Sequence, residues 1–161
     1  MSMNARLAQK LNDLPRSPGV YLHKDASGEV IYVGKAAVLR NRVRQYFQAS
    51  RLRDAKTDAL VADITDTDWI ETESEVDALF LESELIKRYK PRWNILLRDD
   101  TASSYVRIDM KNEWPTVTYT RTPADDGAEY IGPFYSTSAL RKALRVLRRV
   151  YPYLTKQRRP G

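Results

Sequence analysis

Hydrophobic and polar positions in the first part of the chain change period several times, from the two-residue repeat of a strand to the wider repeat of a helix. Two runs rich in β-branched and aromatic residues, at 20–24 and 29–33, flank the turn sequence Asp-Ala-Ser-Gly and predict an antiparallel hairpin. Amphipathic spacing predicts a helix before this hairpin and helices over residues 36–48 and 55–64 after it.

A further strand and a long helix are predicted next. Residues 68–72 have the composition of a third strand. Ser74, with Asp77 three residues later, has the spacing of a helix start, and Pro91 predicts where that helix ends.

The pattern then predicts a second pair of strands, at 105–109 and 116–121, and a last helix over residues 136–151. Gly132-Pro133 is expected to break the chain between them. Mixed strands and helices with an antiparallel hairpin first predict an α+β fold.

Composition narrows the functional classes. At 161 residues and 42% hydrophobic content, the chain can bury one ordinary core with a small appendage. It has no cysteine, so disulfides and thiolate metal sites are excluded. Without a signal-peptide pattern or a long apolar run, we expect no membrane association and a cytoplasmic location. We also expect a monomer.

The net charge of +6 is concentrated at the C-terminal end. Residues 130–161 contain eight Lys and Arg and no Asp or Glu, while the preceding 129 residues contain 19 basic and 21 acidic side chains. This asymmetry favours a polyanionic partner, and a solvated charged helix is the plain alternative.

The last predicted helix has two different sides. Helical spacing places Leu140, Leu144, Leu147 and Tyr151 on a side expected to pack on the protein. Arg141, Arg145 and Arg148 share another side, with Lys142 and Arg149 on its flank. We expect these cations to bind the DNA backbone without reading sequence, or alternatively to dock a protein.

A second basic cluster is predicted after the first hairpin. If a helix starts near Lys35, helical spacing brings Lys35, Arg42 and Tyr46 to one side of it. A lysine at a helix start would help the backbone N–H groups to bind a phosphate. The alternative is two exposed cations beside an apolar seam.

One acidic residue lies where a charge is costly. Glu82 falls on the apolar side of the long helix, near Leu79 and Ile86. A carboxylate there needs a partner. A salt bridge to Arg42 is one explanation, and a divalent cation such as Mg²⁺ is the other.

Several short motifs together resemble one nuclease family. They are GVY at 19–21, YVGK at 32–35, Arg42, Tyr46, LFLE ending at Glu82 and KPRWN ending at Asn94. In this order they resemble the GIY-YIG nuclease family, in the form found in the N-terminal region of UvrC proteins. The likeness continues through RDD at 98–100 and YIGPFYS at 130–136, with departures at Glu84, Trp93 and residues 101–104.

The resemblance implies a small sheet flanked by helices and assigns roles to seven residues. The catalytic set that it implies is Tyr21, Tyr32, Lys35, Arg42, Tyr46, Glu82 and Asn94. Glu82 would hold one divalent ion, Mg²⁺ or Mn²⁺, and Lys35 and Arg42 would also contact DNA. The resemblance also implies a nuclease domain over residues 1–98 and an extension, with strands and the basic helix, over residues 99–161.

The hairpin motifs predict two tyrosines at one site. Tyr21 and Tyr32 are expected side by side and facing the same way, and Gly34 is expected to leave room for a phosphate. The family resemblance implies that one of the two tyrosines is the general base, and the sequence leaves open which one. His23 is expected to be an ordinary strand residue.

The resemblance implies a metal-dependent DNA endonuclease. By family analogy it would make the 3′ incision of nucleotide excision repair, with DNA and other excision-repair proteins as partners. The alternatives are a GIY-YIG endonuclease of another pathway, mobile-element or structure-specific, and a module that binds DNA without cutting it. The chain has no room for the further domains of complete family members, so we expect one incision, by a stand-alone relative or a fragment.

Overall fold

A computed structural model describes residues 4–49, 54–97, 103–111 and 113–155. The chain divides into two compact units, Met1–Asp99 and Asp100–Gly161. The predicted division between residues 98 and 99 lies outside the described residues and stays a prediction.

The first unit is built on a three-stranded antiparallel sheet. Its strands are β1 (Gly19–Lys24), β2 (Val30–Ala36) and β3 (Asp66–Glu71), in the order β2-β1-β3. The helices described in this unit are α1 (Ala5–Asp13), α2 (Leu39–Gln45), α3 (Ala55–Asp63), α4 (Glu75–Tyr89) and α5 (Arg92–Leu96).

Local side chains determine where the first hairpin and the long helix begin and end. Asp25 accepts hydrogen bonds from the backbone N–H groups of Ser27 and Glu29, which closes the predicted hairpin turn. Ser74 is the N-cap of α4 and accepts from the Asp77 N–H at 3.2 Å, as its spacing predicts.

Both faces of β1 are covered, as expected for the middle strand of the sheet. On the face of Tyr21, helices α1, α2 and α3 contribute to one apolar core whose members include Leu7, Leu39, Val43 and Leu60. Helix α4 packs on β1 and β2 and buries Ala78, Leu79, Leu85 and Ile86. Strand β2 is an edge strand, and that edge positions the candidate site.

The second unit is also built on a three-stranded antiparallel sheet. Its strands are β4 (Ser104–Asp109), β5 (Thr116–Thr120) and β6 (Glu129–Phe134), in the order β5-β4-β6, followed by helix α6 (Thr137–Val150). Val106, Phe134, Leu140 and Leu144 are buried within it. The α+β prediction is confirmed in both units.

Two elements were not predicted. Strand β6 contains Gly132 and Pro133, which read as a chain break, but an edge strand tolerates proline because one side of it needs no ladder hydrogen bonds. Helix α5 is only five residues long, too short for a helical repeat to be recognised. Within the described residues, no helix has the length and apolar character needed to cross a membrane.

Candidate active site

Three tyrosine rings form the centre of the candidate site. Tyr21 lies on β1, Tyr32 on β2 and Tyr46 directly after α2, with ring centroids 5.7 to 6.3 Å apart. The hydroxyl oxygens of Tyr21 and Tyr46 lie 2.8 Å apart and share a hydrogen bond. Tyr21 and Tyr32 project from the same face of the hairpin, as the strand repeat predicts.

Gly34 makes room for a tyrosine rather than for a phosphate. It is opposite Tyr21 in the register of β1 and β2. A β-carbon at Gly34 would lie 2.3 Å from Cζ of Tyr21, far inside any real contact. The expectation that a phosphate approaches the backbone here is therefore wrong, because the phenol ring fills the space.

Burial controls the protonation of these phenols. It raises the pKa of Tyr21 and of Tyr32 well above the usual value of 10, because a phenolate would lose its hydration here. The positive charge of Arg42 lowers the pKa of both phenols, but by less than burial raises it. At neutral pH the phenols are protonated, so a tyrosine can act on water through its neutral hydroxyl.

Arg42 brings a positive charge to the cluster. Its guanidinium carbon lies 5.6 Å from the centroid of the Tyr46 ring, and its side chain donates a hydrogen bond to the phenol oxygen of Tyr21. A further hydrogen bond of 3.3 Å links it to Gln45. Arg42 is an exposed residue, so its charge can reach a bound anion.

Lys35 lies on β2, not at the start of a helix. The strand continues to Ala36, and α2 begins only at Leu39. The argument that a helix terminus assists Lys35 is therefore wrong. Its attraction for an anion rests on its own ammonium group.

Glu82 is the carboxylate of the site. It is partly buried on α4, and it accepts a hydrogen bond from the backbone N–H of Lys35. Burial raises the pKa of Glu82 to about 7, against the lowering effect of the Lys35 charge. Among the described residues no ion pair joins Glu82 to Arg42, so the salt-bridge alternative is wrong.

Asn94 binds the same edge of β2 as Glu82. Its Oδ1 accepts from the backbone N–H of Val33 at 2.9 Å, and its Nδ2 donates to the Val33 carbonyl at 2.8 Å. The side-chain amide thus takes the place of a neighbouring strand. Since alternate residues direct their backbone groups to one edge, Val33 and Lys35 present adjacent sites that Asn94 and Glu82 fill.

His23 belongs to the cluster, although it was expected to be an ordinary strand residue. The residue is fully buried, and its ring centroid lies 4.8 Å from that of Tyr46 and 6.0 Å from that of Tyr32. Nδ1 shares a 2.8 Å hydrogen bond with Thr67, while Nε2 has no partner among the described residues. The available signal was the strand repeat, which places His23 on the face of Tyr21.

The other predicted DNA-binding residues lie in the second unit. Arg141, Arg145 and Arg148 are exposed on α6, while Leu140 and Leu144 are buried, as their spacing predicts. Tyr151 does not join the buried side. It is 69% exposed, because α6 ends at Val150 and the chain turns away from the helical repeat.

The donor set of the first unit fits a divalent cation. The described residues contain no group of three or more His, Asp or Glu side chains that could enclose a metal. Glu82 offers hard oxygen ligands beside Lys35 and Tyr32. Mg²⁺ is commonly held by one or two carboxylates, several waters and substrate phosphates, and Glu82 suits this arrangement.

Most of this chain aligns with UvrABC system protein C from several bacteria. The sequence model of the UvrC-like GIY-YIG domain matches residues 17–95. UvrABC system protein C of Thermoanaerobacter pseudethanolicus is 44% identical over 149 residues, and that of Symbiobacterium thermophilum is 47% identical over 149 residues. Each match covers 92% of this chain and 24% of the relative, so the chain spans about a quarter of their length.

Solved structures agree with the sequence comparison. The GIY-YIG N-terminal endonuclease domain of UvrC from Thermotoga maritima, bound to its catalytic divalent cation magnesium, matches with a TM-score of 0.51 and 34% identity, over 57% of this chain and 99% of that domain. A tyrosine-to-phenylalanine variant of that domain, also bound to its catalytic divalent cation, matches with a TM-score of 0.51 and 33% identity, over 57% and 98% of the two chains. The resemblance in the motifs is thereby confirmed, and the chain belongs to the UvrC-like GIY-YIG family of endonuclease domains.

Proposed function

We propose that this chain is a metal-dependent DNA endonuclease that hydrolyses a phosphodiester bond. The observation that carries the proposal is the environment of Glu82, a partly buried carboxylate held at the edge of β2 beside Lys35 and Tyr32. Burial of a carboxylate is costly unless a cation or hydrogen-bond donors compensate for it. A divalent ion would supply that compensation during function.

Glu82 is the residue that would hold the ion. We propose Mg²⁺, the catalytic cation of the Thermotoga maritima domain, with Mn²⁺ as a substitute. When bound, the ion supplies positive charge that neutralises the scissile phosphate and stabilises the leaving 3′ oxygen. The Lys35 backbone N–H orients the carboxylate for this task.

Tyr32 is the tyrosine best placed to act on the attacking water. It is only partly buried and lies close enough to Glu82 for the two groups to interact electrostatically. Tyr21 is 1% exposed, and its hydroxyl is bonded to that of Tyr46. We therefore assign to Tyr32 Oη the hydrogen bond that orients water for in-line attack, and to Tyr21 the positioning of Tyr46 and Arg42.

Two cations would stabilise the charge that builds on the phosphate. Arg42 is fixed by the ring of Tyr46 and the hydroxyl of Tyr21, which limits the side-chain entropy that it loses on binding an anion. Lys35 supplies a second charge near Glu82. Fixed cations of this kind stabilise a transition state without reorganising during the reaction.

The biological setting follows from the relatives. We propose that the chain makes the 3′ incision of nucleotide excision repair and acts with the other components of the UvrABC system, as the name of its relatives implies. We further propose that the second unit, the extension of the nuclease domain, binds the DNA backbone through Arg141, Arg145 and Arg148.

Supercoiled plasmid provides the test of the proposed activity. We expect nicked circles with Mg²⁺ or Mn²⁺ and none in EDTA. Preferred cleavage of lesion-bearing duplexes would support the repair assignment, whereas preferred cleavage of branched or nicked duplexes would favour a structure-specific pathway. DNA binding without nicking in either metal would contradict the proposal and leave a binding module.

A further inference from the structure

The second unit contains a groove between β5 and α6. Its volume is about 330 Å³, close to the lower end of the range for small-ligand sites. Three arginines of α6 and two tyrosines line it, namely Arg141, Arg145, Arg148, Tyr119 and Tyr153. Every residue of the lining belongs to the second unit.

Two of these arginines are held in place by aromatic rings. The guanidinium carbon of Arg141 lies 5.9 Å from the centroid of the Tyr119 ring, and its Nε donates to the Tyr119 hydroxyl at 3.2 Å. Arg148 lies 5.9 Å from the ring of Tyr153, whose hydroxyl donates to the Leu144 carbonyl. Arginines ordered in this way lose less side-chain entropy when they bind an anion.

The charge of the groove has one sign. The lining contains three guanidinium groups and no carboxylate. Arg141 and Arg148 are seven residues apart on α6, which corresponds to about 10 Å along a helix. These arginines therefore extend positive charge along the groove, which suits a backbone that carries more than one phosphate.

The groove also offers apolar and aromatic surface that a phosphate backbone alone does not use. Val117 and Leu144 contribute to its wall, and Tyr119 is 40% exposed. A duplex presents phosphates on its outside and keeps the faces of its bases stacked within. Only an unpaired strand can place phosphates on arginines and a base against a tyrosine ring.

We infer that this groove binds an unpaired segment of nucleic acid, with phosphates on Arg141, Arg145 and Arg148 and a base against Tyr119. The inference rests on the proposed action of the chain on DNA and specifies which form of DNA the extension holds. An acidic peptide would share the charge complementarity but would gain nothing from a stacking surface.

The test measures fluorescence anisotropy of a labelled thymidine 20-mer with the full chain in EDTA, so that cleavage does not contribute. We expect tighter binding of this strand than of a 20-base-pair duplex. Arg145→Glu should weaken strand binding at least tenfold and lower the salt slope by about 0.7. Arg121→Glu is the matched control, since this exposed arginine of the second unit is outside the groove lining and should have a much smaller effect.

The aromatic contribution is tested at Tyr119. Tyr119→Leu should weaken strand binding roughly five- to tenfold or more, whereas Tyr119→Phe should retain it, because base stacking contributes about 1–3 kcal/mol. Circular dichroism melting checks that each variant is folded.

Three results would overturn the inference: tighter binding of the duplex, equal losses for Arg145→Glu and Arg121→Glu, or a poly-glutamate peptide that displaces the strand as well as unlabelled strand does. Strand binding that depends on Arg145 in a chain that cuts no DNA would uphold the inference and defeat only the proposed nuclease activity.

Discussion

Tyr21 and Tyr32 have similar places in their motifs but different surroundings in the fold. Tyr21 packs on Gly34, and its hydroxyl shares a hydrogen bond with that of Tyr46. Tyr32 stacks beside His23, and the negative charge of Glu82 raises its pKa further. Two phenols one strand apart are thereby assigned to different tasks. We assign to the inner one the positioning of Tyr46 and Arg42, and to the outer one the orientation of the attacking water.

Single substitutions separate these tasks. Tyr32→Phe should lower the single-turnover rate of DNA cleavage by roughly a hundredfold or more, because it removes the hydroxyl that orients water. It should change the melting temperature less than Tyr21→Phe does, because Tyr32 is the less buried of the two. Tyr21→Phe should lower both the rate and the melting temperature, because Tyr46 then loses its buried hydrogen bond to Tyr21. Unchanged single-turnover rates in both variants would mean that neither tyrosine contributes to water activation.

His23 predicts a pH dependence of stability. Burial lowers the pKa of His23 to about 3 from the usual 6.5, so the unfolded chain binds a proton that the folded chain does not. Above pH 6.5 His23 is neutral in both states and does not change the free energy of unfolding. As the pH falls from about 6.5 towards 3, the free energy of unfolding decreases by up to about 1.4 kcal/mol per pH unit.

Urea unfolding at pH 8 and pH 5 measures this loss. We expect wild type to lose about 2 kcal/mol more than His23→Phe over that interval, since phenylalanine keeps an aromatic ring but does not titrate. Glu82 titrates in both proteins and cancels in the comparison. Equal losses in the two proteins would show that His23 is hydrated in the folded state.

The sequence identified the candidate catalytic side chains better than the residues that position them. Glu82 was recognisable because a carboxylate on an apolar helix face is conspicuous, whatever the tertiary structure. Gly34 and His23 were misjudged because their environment depends on cross-strand register, which a period of two residues does not determine. Lys35 was misplaced because β2 continues three residues further than its composition indicated.

The free edge of β2 positions the polar side chains of the candidate site. Helix α4 brings Glu82 to the Lys35 N–H, and the segment at α5 brings Asn94 to both backbone groups of Val33. An edge strand exposes unpaired backbone groups, and these side chains satisfy them. This edge of β2 could otherwise pair with another strand. Here it positions a carboxylate instead.

Asn94 should therefore support both the fold and the activity. Asn94→Ala leaves an N–H and a carbonyl of Val33 without these partners, at a cost of about 1–3 kcal/mol. We expect a lower midpoint in urea and slower nicking, because β2 moves relative to Glu82. Asn41→Ala, an exposed position of α2, is the control and should change neither; an Asn94→Ala protein as stable and as active as the control would remove Asn94 from the site.

Helices and turns were predicted correctly where the sequence itself contains the signal for their boundaries. The cap at Ser74 and the turn at Asp25 were readable because side chains bond their own neighbouring backbone. Strand β6 was missed because its hydrogen bonds come from β4, a partner distant in sequence. Such an element is formed by its neighbours rather than by its own composition.

At the scale of the whole molecule, each unit has its own sheet and its own buried residues. The isolated domain from Thermotoga maritima matches 57% of this chain, which supports a nuclease unit that folds without the extension. The excess positive charge lies in the second unit. Catalysis and DNA retention are thereby assigned to different parts of the chain.

Removal of the extension tests that division. A chain of residues 1–98 should unfold cooperatively and retain nicking at saturating DNA within about tenfold, while its affinity for DNA falls and depends less on salt. Affinity measured by anisotropy and rates measured at saturation distinguish the two effects. A folded but inactive 1–98 chain would mean that the extension contributes to the catalytic step.

Single-turnover nicking by Glu82→Gln beside Glu84→Gln tests whether Glu82 holds the catalytic cation. Both substitutions remove one negative charge from α4, but Glu84 is exposed. We predict a loss of at least about a hundredfold for Glu82→Gln with Mg²⁺, with folding and DNA affinity retained, and wild-type rates for Glu84→Gln. Near wild-type nicking by a folded Glu82→Gln protein would mean that Glu82 does not hold the cation.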